Sequence, residues 1–349
     1  MNTEILFIGD PHIQVNNIPE VNLLIERLKV LALEKKPTFI VVAGDVLHDH
    51  ERLHTMALNK SYELLDMLRL ISPTYVLVGN HDYCSNQQYL TNNHWMNGLK
   101  EWSNIFIVDN VLFKNIDDKN FTFVPYVPVG RFQECLNDSG EDWETSSIIF
   151  AHQEFLGCKM GAITSIEGDK WDLDFPDVIS GHIHSKQRPQ SNIFYPGSSL
   201  QIAFGESEKN IVAYLSFVDN VNYNVDEINL NLPRKKLLYL GVKEIESYEP
   251  EKTKDKIKIT LSGDHEEFKA FKKSKKYKDL ISENIKIVFK PKKDKSSELI
   301  NKDNKNLESI DFKDILNSIV LKQKDPYLLQ VYERIINNNE TSVEDVFFI

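Results

Sequence analysis

The chain has 349 residues, of which 41% are hydrophobic, and a formal net charge of −11. This length and composition allow a full buried core and favour a soluble globular protein with one large domain and one or two smaller ones. No apolar stretch approaches the roughly 18 to 20 residues of a membrane span, and no signal-peptide pattern precedes the first predicted strand. We therefore expect an intracellular protein away from membranes, cytoplasmic or, for a eukaryotic or viral source, associated with the nucleus.

Strand and helix signals alternate in the N-terminal part. Apolar runs at residues 5–8, 39–43 and 75–78 predict buried strands, and leucines at helical spacing predict helices over 21–33 and 54–71. Further strands are predicted at 121–129, 148–150, 178–179, 193–195 and 211–217. Continuous apolar strands separated by helices indicate a layered α/β fold with two sheets or one large mixed sheet.

The composition shifts near residue 231. Residues 1–230 carry a net charge of −15 and residues 231–306 a net charge of +8. A basic segment beside an acidic body suits a polyanionic substrate, because Lys and Arg attract phosphates. A lysine-rich segment can equally be a solvated surface, and composition leaves that alternative open.

The C-terminal third contains shorter elements. Strands at 237–242, 257–261 and 285–289 with a lysine-rich helix at 266–279 predict a small α+β unit. Two amphipathic helices, at 307–322 and 327–337, follow a segment almost without apolar residues and need a surface on which to dock. The predicted organisation is a body over 1–230, a small domain over 231–290, a linker over 291–306 and C-terminal helices over 307–349.

Five polar clusters follow apolar runs in the first 184 residues, and they share the residue types of a metal site. They are Asp10-Pro-His12, Gly44-Asp45-Val-Leu-His48, Gly79-Asn80-His81-Asp82, Ala151-His152 and Gly181-His182-Ile-His184. Two cations about 3.5 to 4 Å apart need a bridging carboxylate, neutral imidazoles and an open position. Oxygen and imidazole ligands without thiolates favour manganese, iron or zinc. The series predicts a two-metal site built from Asp10, His12, Asp45, Asn80, His152, His182 and His184.

Glycine precedes a candidate ligand in four of these clusters. Gly9, Gly44, Gly79 and Gly181 lack a side chain, and we expect this to let the backbone turn tightly so that the ligands reach a shared point.

The five motifs resemble the calcineurin-like metallophosphoesterase signature, and their extended form resembles the SbcD subfamily of double-strand-break-repair nucleases, whose eukaryotic members are named for meiotic recombination eleven. The subfamily details are His48 closing GDVLH, the continuation His152-Gln153-Glu154, and Tyr195-Pro-Gly-Ser198 followed by Phe204-Gly-Glu206. The resemblance covers residues 1 to about 217 by motif, and beyond that only the layout is similar. It implies a four-layer α/β/β/α domain over 1–230, a capping, DNA-binding domain over 231–290 and a C-terminal helical hairpin.

The resemblance also implies a role for each site residue. The ligands of one metal would be Asp10, His12 and His184, those of the other Asn80, His152 and His182, with Asp45 bridging the two. It makes His81 the catalytic histidine and His48 an accessory one near the substrate phosphate. Chemistry agrees for His81, because a histidine beside a ligand can donate a proton to the leaving oxygen. Asp82 either orients His81 or caps a turn.

Taken together, these features lead to the hypothesis of a manganese-dependent DNA nuclease that acts on duplex ends and single strands in double-strand-break repair and recombination. The resemblance implies two partners: an SbcC-type coiled-coil ATPase bound by residues 307–349, and a second copy of the chain contacted through a helix such as 54–71. Two alternatives stay open. One is a phosphoesterase of phosphoproteins or small nucleotides, and the other is a mainly structural subunit that binds DNA ends.

Overall fold

The computed structural model describes residues 3–50, 52–207, 209–251, 253–291, 312–323 and 325–337. The chain divides into two compact units, Met1–Lys290 and Pro291–Ile349. The predicted linker at 291–306 lies outside the described residues, apart from its first residue. The boundary predicted at residue 231 falls within the first unit and stays a prediction.

The first unit has a mixed α/β fold. Its strands, in chain order, are β1 (Glu4–Ile8), β2 (Phe39–Val42), β3 (Thr74–Leu77), β4 (Ile105–Val108), β5 (Leu112–Ile116), β6 (Lys119–Phe123), β7 (Ile148–His152), β8 (Lys159–Met160), β9 (Ile163–Thr164), β10 (Val178–Gly181), β11 (Gln187–Gln190), β12 (Ile193–Tyr195), β13 (Val212–Phe217), β14 (Tyr223–Ile228), β15 (Lys235–Gly241), β16 (Lys256–Gly263) and β17 (Lys286–Pro291). The helices are α1 (Ile18–Lys35), α2 (Thr55–Arg69), α3 (Phe132–Asp138), α4 (His265–Lys272) and α5 (Lys275–Ser282).

Two six-stranded sheets form the body of this unit. The first has the order β14-β13-β1-β2-β3-β4, and β1 to β4 run parallel. The second has the order β11-β12-β10-β7-β6-β5, and β6, β7, β10 and β12 run parallel. Parallel neighbours bring their carboxyl ends to the same edge of a sheet, which is where ligands bind in open α/β folds.

Successive residues of a strand face opposite sides of its sheet, and this alternation divides the core. Phe7, Phe39 and Phe150 belong to a buried cluster with members from both sheets. Leu6 and Ile8 instead join a second cluster that includes apolar residues of α1 and α2. A third cluster joins α3 to residues of the second sheet. One buried cluster is thus shared by the two sheets, and the other two clusters join a sheet to helices.

Residues 235–291 form a separate three-stranded sheet in the order β15-β16-β17. With α4 and α5 it encloses its own small core, which includes Ile259, Leu261 and Phe271. Lys235 Nζ donates to the carbonyl of Ile202 at 2.5 Å, and Lys256 forms an ion pair with Glu20. The small α+β segment thus contacts the body through polar groups.

In the second unit, two helices are described, α6 (Phe312–Gln323) and α7 (Pro326–Asn337). Asp325 accepts hydrogen bonds from the backbone N–H groups of Tyr327 and Leu328, which caps the start of α7. The break predicted between the helices over 307–322 and 327–337 is confirmed. Residues 307–311 and 338–349 of the predicted C-terminal region lie outside the described residues.

Two predictions of how far an element extends along the chain were wrong. The strand expected to continue to Val129 ends at Phe123, and the following stretch contains Pro125 and Pro128, which cannot donate ladder hydrogen bonds. The helix expected over 266–279 is two helices, α4 and α5. They separate because Ser274 caps the second one by accepting a hydrogen bond from Tyr277 N at 3.1 Å.

None of the described helices is both long and apolar enough to cross a membrane.

Candidate metal centre

The predicted ligands lie at the carboxyl ends of parallel strands from both sheets. In the first sheet, Asp10, Asp45 and Asn80 follow β1, β2 and β3. In the second, His152 is the last residue of β7 and His182 directly follows β10. The structure brings these side chains within a few ångströms of one another, although they are far apart in the sequence.

Asp45 stands at the centre of this cluster. Its Oδ2 lies 3.3 Å from Nε2 of His12 and 3.4 Å from Nε2 of His152. Its Oδ1 accepts a hydrogen bond from the backbone N–H of His81 at 2.8 Å. One carboxylate oxygen therefore faces two groups of ligands at once, which is the geometry that a bridging ligand requires.

The first group contains Asp10, His12 and His184. The Nε2 atoms of His12 and His184 are 3.0 Å apart. Asp10 Oδ1 accepts from the backbone N–H of His182 at 3.0 Å. Asp10 Oδ2 is buried and has no hydrogen-bond partner among the residues that the structure describes. Two facing imidazole nitrogens and an unpartnered carboxylate oxygen are groups that a cation would satisfy.

The second group contains Asn80, His152 and His182. Asn80 Oδ1 lies 3.1 Å from Nε2 of His152 and 2.9 Å from Nδ1 of His182. Asp45, His152 and His182 each place one ligand atom within 4.8 Å of the others. The donor set of both groups, imidazole nitrogens and oxygens without thiolate, fits two divalent cations.

Three of these ligands hold strained backbone conformations. His12, Asp45 and His182 have φ of 43°, 46° and 76°, in the left-handed region that residues with a side chain rarely adopt. Such strain persists only where the surrounding structure enforces it, and it concentrates at functional sites.

The glycines beside the ligands act mainly through close approach. A Cβ on Gly79 would lie 2.2 Å from Asp45 Oδ1, and one on Gly181 would lie 2.7 Å from Asp10 Oδ1. Gly44 alone of the four has a positive φ, 98°. The expected tight turns therefore apply to Gly44, whereas Gly9, Gly79 and Gly181 leave space that another segment fills.

The pKa values of the buried histidines depend on burial and on the nearby carboxylates. Burial lowers the pKa of His12 well below its usual value and lowers that of His182 to about 3, so both are neutral and able to bind metal. Burial opposes the charge of His152 as well, but Asp45 and Asp10 outweigh it and raise the pKa of His152 to about 9. A cation between these groups would replace that proton, because metal binding releases protons from its ligands.

His81 lies beside the metal ligands and is fixed through one nitrogen. Its Nδ1 donates to the backbone carbonyl of His48 at 2.6 Å. Its Nε2 is then the nitrogen available to a substrate, and His81 lines a cavity of about 760 Å³ together with Asp45, Asn80 and His182. Asp82 does not orient His81. It accepts from the backbone N–H groups of Val46 and Gly79 and from Trp95 Nε1, so the turn-capping alternative is the one that the structure supports.

His48 contacts a ligand rather than standing apart from the metal groups. Its Nδ1 lies 3.3 Å from Nδ1 of His12, on the side of the His12 ring that faces away from Asp45. His12, His48 and His81 also form a close cluster of their own. The predicted position of His48 near the substrate phosphate stays a prediction.

Two residues with contacts to the site were not assigned a role from the sequence. Glu206 lies 3.2 Å from Nδ1 of His184 through Oε1. The ring of His50 stacks on that of His81 with a centroid distance of 4.4 Å. For Glu206 the signal was present in the Phe204-Gly-Glu206 motif, whereas for His50 nothing beyond its nearness to His48 pointed to the site.

Comparison with known proteins identifies the family. The calcineurin-like phosphoesterase family matches residues 3–186 of this chain. The protein called "Putative phosphoesterase 244L" of Invertebrate iridescent virus 6 is 53% identical over 283 residues, covering 78% of this chain and 99% of that protein. "Putative phosphoesterase 078R" of Invertebrate iridescent virus 3 is 48% identical over 295 residues, covering 82% of this chain and 84% of that protein.

Among solved structures, "GAP50 the anchor in the inner membrane complex of Plasmodium" is similar at 14% identity and a TM-score of 0.40, covering 65% of this chain and 89% of that one. A likeness at that level carries no functional information. The family match spans more than half of the chain, includes all five polar clusters and agrees with the site geometry. The chain therefore belongs to the calcineurin-like phosphoesterase family.

Proposed function

We propose that this phosphoesterase is a manganese-dependent DNA nuclease of the SbcD type, which cleaves at duplex ends and in single strands during double-strand-break repair and recombination. The proposal rests on one observation above all. Asp45 lies between two groups of predicted ligands, and His81 lines the same cavity with its Nδ1 held by the His48 carbonyl. Hydrolysis of a phosphodiester with two metal ions needs such a pair of metal sites together with a separate proton donor.

The ligand set of one cation would be Asp10, His12, Asp45 and His184, and that of the other Asp45, Asn80, His152 and His182. When bound, the cations would supply an activated water and offset negative charge on the phosphoryl oxygens. The protein's own residues then orient the reaction. Asp45 Oδ1 holds the backbone N–H of His81, and the His48 carbonyl holds its Nδ1. As the bond from phosphorus to the leaving oxygen breaks, Nε2 of a protonated His81 gives that oxygen a proton.

DNA as substrate is supported by the basic segment at 231–306. Lys269, Lys272 and Lys275 are exposed on α4 and α5, where phosphates can reach them. The rest of the SbcD-type layout is part of the same proposal: a four-layer α/β/β/α domain, a capping domain at 231–290 and a homodimer. Packing of α1 and α2 on one sheet and of α3 on the other supports the layered domain.

A nuclease assay tests this function directly. Purified protein is incubated with labelled linear duplex, hairpin and single-stranded DNA in the presence of manganese, next to a His81→Gln variant. We expect degradation by the unaltered protein and a loss of about 100-fold or more in the variant, with folding and metal content retained. Glu144→Gln, at an exposed position in the short helix Trp143–Thr145, is the control and should cleave normally.

Other outcomes are informative as well. Cleavage that persists in His81→Gln would contradict the role of that residue. Turnover of phosphopeptides or cyclic nucleotides without any cleavage of DNA would select the alternative phosphoesterase, because the same metal site can serve many substrates.

The ATPase partner needs a separate experiment. We propose that the helices within 307–349 bind the coiled coil of an SbcC-type ATPase, since two short amphipathic helices bury little surface by themselves. Co-purification of the candidate ATPase is compared between the full chain and a chain ending at residue 306. Equal recovery with both chains would overturn the partner assignment without affecting the nuclease proposal.

A further inference from the structure

Three histidine rings next to the metal groups are nearly parallel. His81 and His48 have ring centroids 5.5 Å apart and an interplanar angle of 18°. His81 and His50 are closer, at 4.4 Å and 20°. His48 also supplies the carbonyl that holds His81 Nδ1, whereas no role in the reaction has been given to His50 above. The closer of the two stacked rings is therefore the unassigned one.

His50 is itself held in place. Its Nδ1 lies 3.4 Å from the backbone carbonyl of Tyr83, a long hydrogen bond. Tyr83 is fully buried, so this acceptor belongs to a fixed part of the chain. On its outer side, His50 lines an open cleft of about 810 Å³ with Arg52, Cys84 and Gln87. His50 thus contacts His81 and borders a cleft other than the cavity that His81 lines.

A single hydrogen bond leaves the imidazole of His81 free to pivot. The bond from Nδ1 to the His48 carbonyl fixes one edge of the ring, but the ring can still tilt about that contact. A tilt moves Nε2 away from the line to the leaving oxygen, and a displacement of an ångström at a reacting group is costly to the rate. A parallel ring at 4.4 Å opposes such a tilt.

We propose that His50 is a positioning residue, whose ring stacks on His81 and keeps Nε2 aimed at the leaving oxygen. This inference rests on the proton-donor role given to His81 above, but it does not depend on whether the substrate is DNA. His50 acts through the flat face of its ring. An aromatic side chain without ring nitrogens should therefore replace it, whereas an aliphatic or amide side chain should not.

The test compares two esters of the same phosphate, one with a p-nitrophenyl leaving group and one with an alkyl alcohol leaving group. The pair is taken from the monoester or diester series, whichever the unaltered protein turns over. A p-nitrophenolate leaves without a proton, whereas an alkoxide needs one, so only the alkyl ester depends on a well-aimed His81. Kinetics are measured with manganese for His50→Ala, His50→Gln and His50→Phe.

We expect His50→Ala and His50→Gln to lower kcat on the alkyl ester by about tenfold, with KM unchanged, and to lower kcat on the p-nitrophenyl ester by less than about twofold. His50→Phe should restore the alkyl ester to within about threefold of the unaltered protein, because the open cleft has room for the larger ring. In a His81→Gln background, His50→Ala should have no further effect. Gln87→Ala, which removes another exposed side chain of the same cleft, is the control and should match the unaltered protein.

An equal loss on both esters, failure of His50→Phe to restore the rate, or an unchanged rate in both His50→Ala and His50→Gln would each overturn the proposal. If His50→Ala does not fold, His50→Gln decides alone. Hydrolysis of the small esters without cleavage of DNA would contradict the nuclease proposal and leave this test intact.

Discussion

Glu206 holds His184, a predicted metal ligand, through a hydrogen bond, with 3.2 Å between Oε1 and Nδ1. Its other oxygen, Oε2, accepts from the backbone N–H groups of Ile202 and Ala203 at 2.9 and 2.8 Å. The carboxylate is thus fixed by its own loop. Burial opposes the charge of His184, but the bond to Glu206 and the nearby carboxylates together outweigh it and raise the pKa of His184. A carboxylate in this position would orient the other nitrogen, Nε2, for a metal ion and make it a stronger ligand.

The Glu206→Gln variant should bind manganese about 10- to 100-fold more weakly, because an amide cannot satisfy both the imidazole and the two backbone donors. Calorimetric titration of the metal-free protein measures this. Glu63→Gln, which changes an exposed ion pair with Lys60, serves as the control and should leave the affinity unchanged. Equal manganese affinity in Glu206→Gln and the unaltered protein would show that the hydrogen bond does not support the site.

Replacing Gly79 by alanine should disrupt the site from the backbone. The new Cβ would stand 2.2 Å from Asp45 Oδ1 and 2.3 Å from Asp45 N, so the Asp45 carboxylate would have to move. We expect weaker metal binding and a loss of about 1–3 kcal/mol in the free energy of unfolding without metal. Urea unfolding in EDTA and a manganese titration measure the two effects.

Gly98→Ala is the matched control for that variant. Apart from its chain neighbours, no atom of the described residues lies within 4 Å of a Cβ at Gly98, so the free energy of unfolding should change by no more than about 0.5 kcal/mol. If Gly79→Ala is as harmless as Gly98→Ala, the close approach to Asp45 does not constrain the site.

Manganese should raise the thermal unfolding temperature in a concentration-dependent way. A ligand that binds only the folded state at 100 times its Kd adds about 2.7 kcal/mol to stability. The Asp45→Asn variant should lose most of this increase, because Asp45 Oδ2 faces both ligand groups. Thermal unfolding over a manganese series, with magnesium in parallel, gives the measurement. A similar increase in both proteins would place the cations elsewhere.

Asp109 should make the folded state sensitive to acid. Burial alone would raise its pKa, but hydrogen bonds from His94 and Lys100 outweigh this and lower the pKa to about 2. A lowered pKa stabilises the folded state above the unfolded value near 4, and this stabilisation disappears as the pH falls towards 2. Lys100 is partly exposed, so we expect only about 1–2 kcal/mol.

The Asp109→Asn variant therefore should be less stable at pH 7, and its difference from the unaltered protein should shrink below pH 4. Urea unfolding at pH 7, 5, 4 and 3 gives both curves. A difference that stays constant down to pH 3 would mean that the loss comes from packing rather than from charge.

The sequence was most informative for the polar residues that follow the predicted strands. Apolar runs predicted β1, β2 and β3, and the residues after them are those that meet around Asp45. The resemblance to calcineurin-like phosphoesterases is confirmed. The nuclease subtype, the partners and the role of each site residue stay predictions.

Contacts between segments could not be predicted in the same way. The bond from His184 to Glu206 spans 22 residues, and the stack of His50 on His81 joins two loops whose relative position depends on the whole sheet. Glycines showed the same limit: spacing indicated that Gly79 and Gly181 matter, but the side chains that occupy the space beside them became clear only from packing. Asp82 likewise could have oriented His81 or capped a turn until its backbone partners were known.

The ligands join chain segments far apart in sequence. The facing nitrogens of His12 and His184 belong to residues separated by 172 positions, and the two residues follow strands of different sheets. Closing so long a loop costs conformational entropy. Folding of the two sheets has already brought the two histidines together, so metal binding adds little to this cost. A bound cation would thus act as a removable cross-link between the sheets. Unfolding by force or by denaturant should therefore be slower with metal than without it. A disulfide between the two sheets would have the same effect.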